Sequence, residues 1–423
     1  MANDSLVVGL DIGSTKVCAV IGERNERGTL DITGVGTSPS TGLEKGVVKN
    51  IEATLRAISA AIEEAEGMSG QEVRACWTGI GGKHITGMNS RGVVAVTGKT
   101  RETREIGPED VDRVLEAARA IAIPMDRQIL EVIPQSYIVD DQKGIRDPLN
   151  IIGVRLEAEV HIITCSVTSA QNLIKCVNRA GFRVNDLILQ SLAAGTAVLT
   201  EEEKELGVVL IDLGGGTTEV VVYCQGAPYS TSSIPLGGMQ VTRDISLWGG
   251  ISIETAEKIK IQAGCCREEF LEKDESVLVD GIGGRPPQSI PRLELAQVIR
   301  PRVEEIFEMV KNELDKLSVS EWLGGGIVLT GGGAQLLGTV ELAEEVFNAG
   351  RKRPIPIRAG NPLSRNLGGF VEKYRTPAYS TAIGLLLEGA KREASGAQEG
   401  GGEIPGEGPG LGKRLVAWLK GFF

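Results

Sequence analysis

Val7–Val20 reads VVGLDIGSTKVCAV, and Val208–Val221 reads VVLIDLGGGTTEVV. In both, an apolar run leads to Asp-aliphatic-Gly, small or hydroxyl residues follow, and a second apolar run begins. This grammar predicts a β-hairpin with a tight turn. Glycine in such a turn lets the backbone approach a phosphate closely, and the exposed N–H groups supply donors. Asp11 and Asp212 stand where each first strand ends. A carboxylate there pairs badly with a phosphate but well with a magnesium ion and its waters. One such hairpin is common in proteins. Two in matching frame predict a duplicated fold closing on one nucleotide.

The rest of the composition fits that expectation. A chain of 423 residues is too long for one small core, so two or more domains are expected. The charged fraction of 24% and apolar fraction of 41% are those of a soluble globular protein. A net charge of −11 argues against nucleic acid as a partner. Seven scattered cysteines with no Cys-x-x-Cys pair, and only two histidines, make a zinc site improbable and suit a reducing cytoplasm. The first residues lack the basic and apolar regions of a secretory signal. No run approaches the roughly 18 apolar residues of a membrane-spanning helix.

Along the chain, Ile51–Ala65 has the spacing of a helix with Ile51, Leu55, Ile58 and Ile62 on one face. Gly79–His84 breaks the pattern, and 84–160 reads as a separate module. It is predicted to hold a strand at 92–97, a helix at 108–121 and long strands near 129–139 and 151–164. The α/β alternation then resumes with a helix at 169–180, a strand at 183–190 and a helix at 191–200. Residues 238–320 are predicted to be mostly helical, ending in a helix over Pro301–Leu317. Gly326–Leu337 (GIVLTGGGAQLL) reads as a strand, a triple-glycine turn and the start of a helix, and 377–390 as a last helix. Glycines at such a turn let a flat base or sugar lie against bare backbone, or serve packing alone.

The set DIGSTK, DLGGGTTEV and IVLTGGGA, in that order, resembles the actin, DnaK-type chaperone and sugar-kinase ATPase superfamily. The resemblance covers the chain to about residue 390. It implies an α/β, actin-like ATPase fold: two RNase H-like domains around a cleft holding ATP or ADP with Mg²⁺. It places Asp11, Gly13, Ser14, Thr15 and Lys16 in the first phosphate motif. Asp212, Gly214, Gly215, Gly216, Thr217 and Thr218 form the second, and Gly331, Gly332, Gly333 and Ala334 the adenosine motif. Asp11 and Asp212 become the metal candidates. Glu257 and Lys260 match a Glu-x-x-Lys that flanks ribose and base in bacterial actins and chaperones. At helical spacing they read equally as a surface ion pair. Gln190 stands where actin-like ATPases carry the residue that positions the attacking water, which makes Gln190, Asp11 and Asp212 the catalytic candidates. Glutamine orients water but is a poor general base, so at most weak ATPase activity is expected; a purely structural Gln190 is the other reading.

The 84–160 module narrows the resemblance. It enters after GIGGKHI, leaves at VHIITC and contains NSRGVVAVTG, as in the FtsA family of bacterial cell-division proteins. SIPLGGMQVTRDI, TAEKIKIQAG, VIRPRVEEIFEMV and YSTAIGLL are similar to that family too. The resemblance implies a first actin-like domain from 1–83 and 161–195, completed by 372–390, with the insert at 84–160. A second domain would take 196–226 and 305–371, with a helical subdomain at 227–304. It further implies a protein that polymerises on the cytoplasmic face of the membrane at the septum, anchors the FtsZ ring and helps recruit later division proteins. In that family the FtsZ C-terminal peptide docks on the helical subdomain. Because the peptide is acidic in part, Arg292, Arg300 and Arg302 are candidates, with three solvated arginines as the alternative.

Residues 391–410 are rich in Gly, Glu and Pro and read as a flexible tether. Leu411–Phe423 follows. At about 100° per residue, Leu411, Leu415, Val416, Trp418, Leu419, Phe422 and Phe423 share one arc. Lys413, Arg414 and Lys420 lie opposite, and no acidic residue is present. This is the composition of a helix lying in an anionic lipid surface. The alternative is a terminal helix docked on the chain's own core, which a long tether disfavours. Three rivals share the fold: a small-metabolite kinase, a pilus-assembly adaptor and a chaperone. The first needs a catalytic-Asp signature that is not found, the second generally lacks a tethered amphipathic end, and the third carries a β-rich substrate domain.

Overall fold

The computed structural model describes residues 6–25, 29–96, 104–279, 286–319, 322–363, 367–369 and 371–394. The membrane-helix residues 411–423, and the tether from residue 395 onward, lie outside the described residues.

Two sheets repeat one topology. In the first lobe the strands run Arg183–Leu189, Ala75–Ile80, Leu6–Ile12, Lys16–Arg24, Leu30–Pro39 and Leu367–Gly369. In the second they run Ile357–Ala359, Gly326–Thr330, Val208–Leu213, Thr218–Cys224 and Ala227–Ile234. Each lobe has an antiparallel three-strand meander, extended beyond its first strand by two parallel strands. The two signature hairpins occupy the same place in their sheets. Ile12 pairs with Val17 and Leu213 with Thr218, so both turns have the same length. The unbroken apolar runs of the central strands follow from burial on both faces.

Helix Ile51–Ser69 covers one face of the first sheet. Asn50 caps its start by accepting the Ala53 N–H, and Gly70, at φ 70°, ends it. On the other face lie helices Gln190–Val198 and Ser380–Ala394. They approach so closely that a Cβ on Gly384 would lie 1.8 Å from the Ala193 carbonyl oxygen.

The insert is a four-stranded antiparallel sheet ordered Gln142–Ile145, Arg127–Val139, Arg155–Ser166 and Thr86–Ala95, with helix Pro108–Arg119 packed on it. Val114, Leu115, Leu156 and Ile162 form its core. Strand Arg155–Ser166 runs unbroken through residues 160 and 161, and near its end Ile163 and Cys165 pack into the first lobe's core.

Several boundaries differ from expectation: the strand expected at 92–97 is Thr86–Ala95, and that expected at 151–164 is split into Ile152–Gly153 and Arg155–Ser166. The helix expected from Pro301 begins at Arg292 and carries Pro301 inside it. Leu295, Ala296 and Ile299 extend its buried stripe, and that burial offsets the roughly 3 kcal/mol that an internal proline costs. After the triple glycine comes a 3₁₀ turn, Gly332–Gln335, and only then helix Thr339–Asn348. The last helix runs Ser380–Ala394, preceded by a 3₁₀ turn at Pro377–Tyr379, so Lys391–Ala394 are helical rather than tether. Arg392 explains the extension, because its guanidinium reaches Glu131 and Asp186, both at 3.0 Å. Among the described residues, no helix is long and apolar enough to cross a membrane.

Candidate functional site

The two glycine turns meet tip to tip between the lobes. A Cβ on Gly215 would lie 2.4 Å from the Thr15 side chain, and one on Gly216 would lie 2.5 Å from Ser14 Oγ. Glycine is therefore required by the approach of the turns themselves. Ser14 Oγ accepts the Gly46 N–H at 3.3 Å. The carbonyls of Gly214 and Gly215 accept the N–H groups of Gly238 and Met239 at 2.9 and 2.8 Å. This ties the second turn to the start of helix Gly238–Gly249.

Asp11 and Asp212 lie beneath these turns. Asp11 Oδ1 accepts a hydrogen bond from Gln190 Nε2 at 2.6 Å, and Gln190 opens helix Gln190–Val198. Asp212 is buried, and its Oδ2 accepts from the Thr381 hydroxyl at 3.1 Å. Burial first, and the nearby Asp11 charge second, raise the Asp212 carboxyl to about 7. Burial also raises Asp11, against the pull of Lys16 and the Gln190 hydrogen bond. Two desolvated, mutually repelling carboxylates are suited to a divalent cation, which would neutralise both. Among the described residues, no group of three or more His, Cys, Asp or Glu could hold a metal. A pair sharing the ion with waters and phosphate oxygens is the arrangement that suits magnesium.

The remaining expected residues fall into distinct positions. Gly331, at φ 81°, backs onto Asp212, where a Cβ would lie 2.2 Å from Oδ1. Gly333 packs on Leu213, Ala334 is buried, and a Cβ on Gly332 would meet nothing within 4 Å. Gly13 donates its N–H to the Lys16 carbonyl at 2.9 Å, closing the first turn. Lys16 turns its amine to the Ala378 carbonyl at 2.6 Å, 4.2 Å from the Tyr379 ring centre. Thr217 is half-buried, whereas Thr218 is buried with its hydroxyl donating to the Leu236 carbonyl at 2.9 Å.

Glu257 and Lys260 are not a surface pair. Lys260 is buried, with Nζ 2.7 Å from Glu257 Oε2, 2.9 Å from Thr242 Oγ1 and 3.2 Å from the Gly238 carbonyl. The pair therefore braces the helix that holds the second turn. Burial lowers the Lys260 pKa, opposed by Glu257. The three candidate arginines each have a carboxylate partner within the chain. Arg292 meets Glu275, Arg300 meets Glu345 at 2.7 Å, and Arg302 meets Asp244 at 2.6 Å.

Sequence reading missed two features. Segment Pro377–Thr381 touches all three motifs. The Pro377 carbonyl accepts from Gly331 N–H at 3.2 Å, Ser380 Oγ lies 2.7 Å from Thr330 Oγ1, and Ala378 and Thr381 reach Lys16 and Asp212. Its signal was the Tyr-Ser-Thr run at a helix start. The second is Glu219, whose buried carboxylate crosses to the other lobe and accepts the Gly82 N–H at 3.0 Å.

Comparison with known proteins adds the family. Residues 209–384 match the family "Cell division protein FtsA", and residues 82–164 match "SHS2 domain inserted in FTSA". The chain is 43% identical over 422 residues to the cell division protein FtsA of Pseudomonas aeruginosa, covering 99% of this chain and 98% of that one. It is 49% identical over 384 residues to that of Borreliella burgdorferi, covering 90% of each. Among solved structures it resembles a PilM-PilN type IV pilus biogenesis complex, with a TM-score of 0.63 at 17% identity, covering 91% of this chain and 98% of that one. It also resembles MreB5 of Spiroplasma citri bound to ADP, with a TM-score of 0.52 at 15% identity, covering 93% and 98%. Those structural likenesses show the actin-like ATPase fold and leave the pilus adaptor and kinase readings as distant neighbours. The insert in its expected place and the near-full-length identity show that the chain belongs to the FtsA family of bacterial cell-division proteins.

Proposed function

We propose that this chain is an ATP-binding scaffold that self-associates on the cytoplasmic face of the membrane at the septum and holds the FtsZ ring there. The observation that carries the nucleotide half is the meeting of two glycine turns above the desolvated Asp11–Asp212 pair. Gly13–Lys16 and Gly214–Thr218 would cradle the phosphates, Gly331–Ala334 the adenosine, and the two aspartates Mg²⁺. The ADP bound to the related MreB5 fold supports this. Mg²⁺ would offset phosphate charge, and Gln190, oriented by Asp11, would place water without acting as a strong base. Slow hydrolysis in a nucleotide-gated scaffold follows. The domain division drawn from the resemblance goes with this reading.

The membrane half rests on the cationic, aromatic composition of 411–423. Such a short helix would fold on the lipid, and many copies in one filament would strengthen binding. In the helical subdomain Leu247, Trp248, Ile253, Ile261, Phe270 and Leu278 are exposed, which suits a protein-contacting surface. An acidic FtsZ peptide there would compete with Glu275, Glu345 and Asp244 for Arg292, Arg300 and Arg302. The test is co-sedimentation with anionic liposomes of the full chain and a form ending at Gly410, with and without ATP and FtsZ. The full chain is expected to carry FtsZ down and the truncated form to stay in solution. Lipid binding that survives truncation would overturn the membrane reading, and FtsZ left in solution would overturn the anchoring role.

A further inference from the structure

Glu219 lies on strand Thr218–Cys224, opposite Asp212 in the hairpin, and is 6% exposed. Its Oε1 accepts from Gly82 N–H at 3.0 Å and from Ser233 Oγ at 2.9 Å, and the Thr217 side chain also donates to its carboxyl. These donors compensate a carboxylate that burial would otherwise disfavour. Gly82 is in the opposite lobe, at the first residue matched to the insert family. Its loop is tightly packed: a Cβ on Gly82 would lie 2.5 Å from the Lys45 carbonyl oxygen, and one on Gly81 would lie 2.1 Å from Gln190 Oε1.

The strand that supplies Ser233 also holds the insert. On strand Ala227–Ile234, Thr231 Oγ1 lies 2.9 Å from His161 Nε2, and His161 Nδ1 lies 2.6 Å from Asn89 Oδ1. Asn89 and Gln135 donate to the Tyr229 and Pro228 carbonyls at 3.1 and 2.9 Å. The insert is thus attached to the second lobe along this strand, and also through Arg146, which pairs with Glu205; Glu219 joins the strand, the second glycine turn and the insert's root.

We propose that Glu219 is a positioning residue that couples the second glycine turn to the insert, so that the insert's stance follows occupancy of the cleft. The coupling rests on the nucleotide reading above. A phosphate seated on the turn moves Thr217, and Glu219 passes that movement to Gly82 and to strand 227–234. By linkage, whatever binds the insert changes nucleotide affinity by the same factor.

Hydrogen exchange of the full chain, with and without Mg-ATP, tests this beside a titration with a fluorescent ATP analogue. In the native chain Mg-ATP is expected to slow exchange in residues 82–95 and 155–164 by about fivefold. Glu219→Ala should lose that response while nucleotide affinity changes less than about threefold. Glu219→Gln should keep it, because its amide oxygen still accepts from Gly82. Should the alanine variant not fold, Glu219→Asp, one methylene short of Gly82, is expected to show the same loss. A full response in the alanine or aspartate variant overturns the coupling. Nucleotide binding without any change in native exchange also overturns the coupling alone, whereas no nucleotide binding overturns the reading beneath it.

Discussion

Asp212 is the residue whose setting has the most measurable consequence. Its folded pKa, about 7, stands above its ordinary 3.8. The stability it contributes is therefore fully present below about pH 4 and lost as pH rises through about 7. In the absence of nucleotide and metal, Asp212→Asn is expected to be more stable than the native chain above pH 7, by about 1–4 kcal/mol, in urea denaturation at pH 8. The two should converge only towards about pH 4. If Asp212 holds Mg²⁺ as proposed, Mg-nucleotide affinity of the native chain is expected to rise with pH through about 7, because the carboxyl would have to lose its proton to bind the ion. Lys260→Met should lower stability by about 1–2 kcal/mol, since Glu257 and the Gly238 carbonyl each lose a donor. Asp11 and Asp212 were legible because Asp-x-Gly at a strand end is a local pattern. Glu219 was not, since an acid within a strand reads as a solvated side chain until its partner in the other lobe is known. The burial of Lys260 depends in the same way on a helix distant in sequence.

At the scale of elements, the hairpins and helix Ile51–Ser69 could be read directly, because turn chemistry, strand pattern and a helix cap are local signals. Helix Arg292–Leu317 was read too short, because proline weighed as a boundary while the buried stripe before it was not counted. Helix Ser380–Ala394 was read too short at its far end, because Lys391, Arg392 and Glu393 look like the start of a solvated tether. Arg392 ties them to Glu131 and Asp186, and the indole of Trp77 donates to Glu393 at 3.1 Å. The same helix gives an element-level prediction. Gly384→Ala pushes a methyl group into the Ala193 carbonyl and should lower stability by about 1–3 kcal/mol, measured by urea denaturation. If the midpoint does not move, the two helices are further apart than described.

For the whole molecule, a ligand that binds only the folded chain must stabilise it by mass action. Mg-ATP at about a hundred times its Kd should add about 2.7 kcal/mol and raise the melting temperature. Asp212→Ala should abolish most of that rise. Ending the chain at Gly410 should leave the rise intact, which separates the cleft from the tail. The duplication of lobes around a shared cleft was legible from two matching hairpins, but the direct contact of the turn tips was not, because no sequence spacing reports which tips touch. The closing of the first lobe has a consequence for biosynthesis. Strand Leu6–Ile12 is made before any strand of the second sheet, yet the helix that covers it, Ser380–Ala394, and the segment Pro377–Thr381 that touches all three glycine motifs emerge after that entire sheet. On a ribosome the second lobe therefore has all its strands before the first can shut its core. The first lobe of the nascent polypeptide stays unfinished until residues 377–394 have emerged, and nucleotide can act as a folding template only after that point.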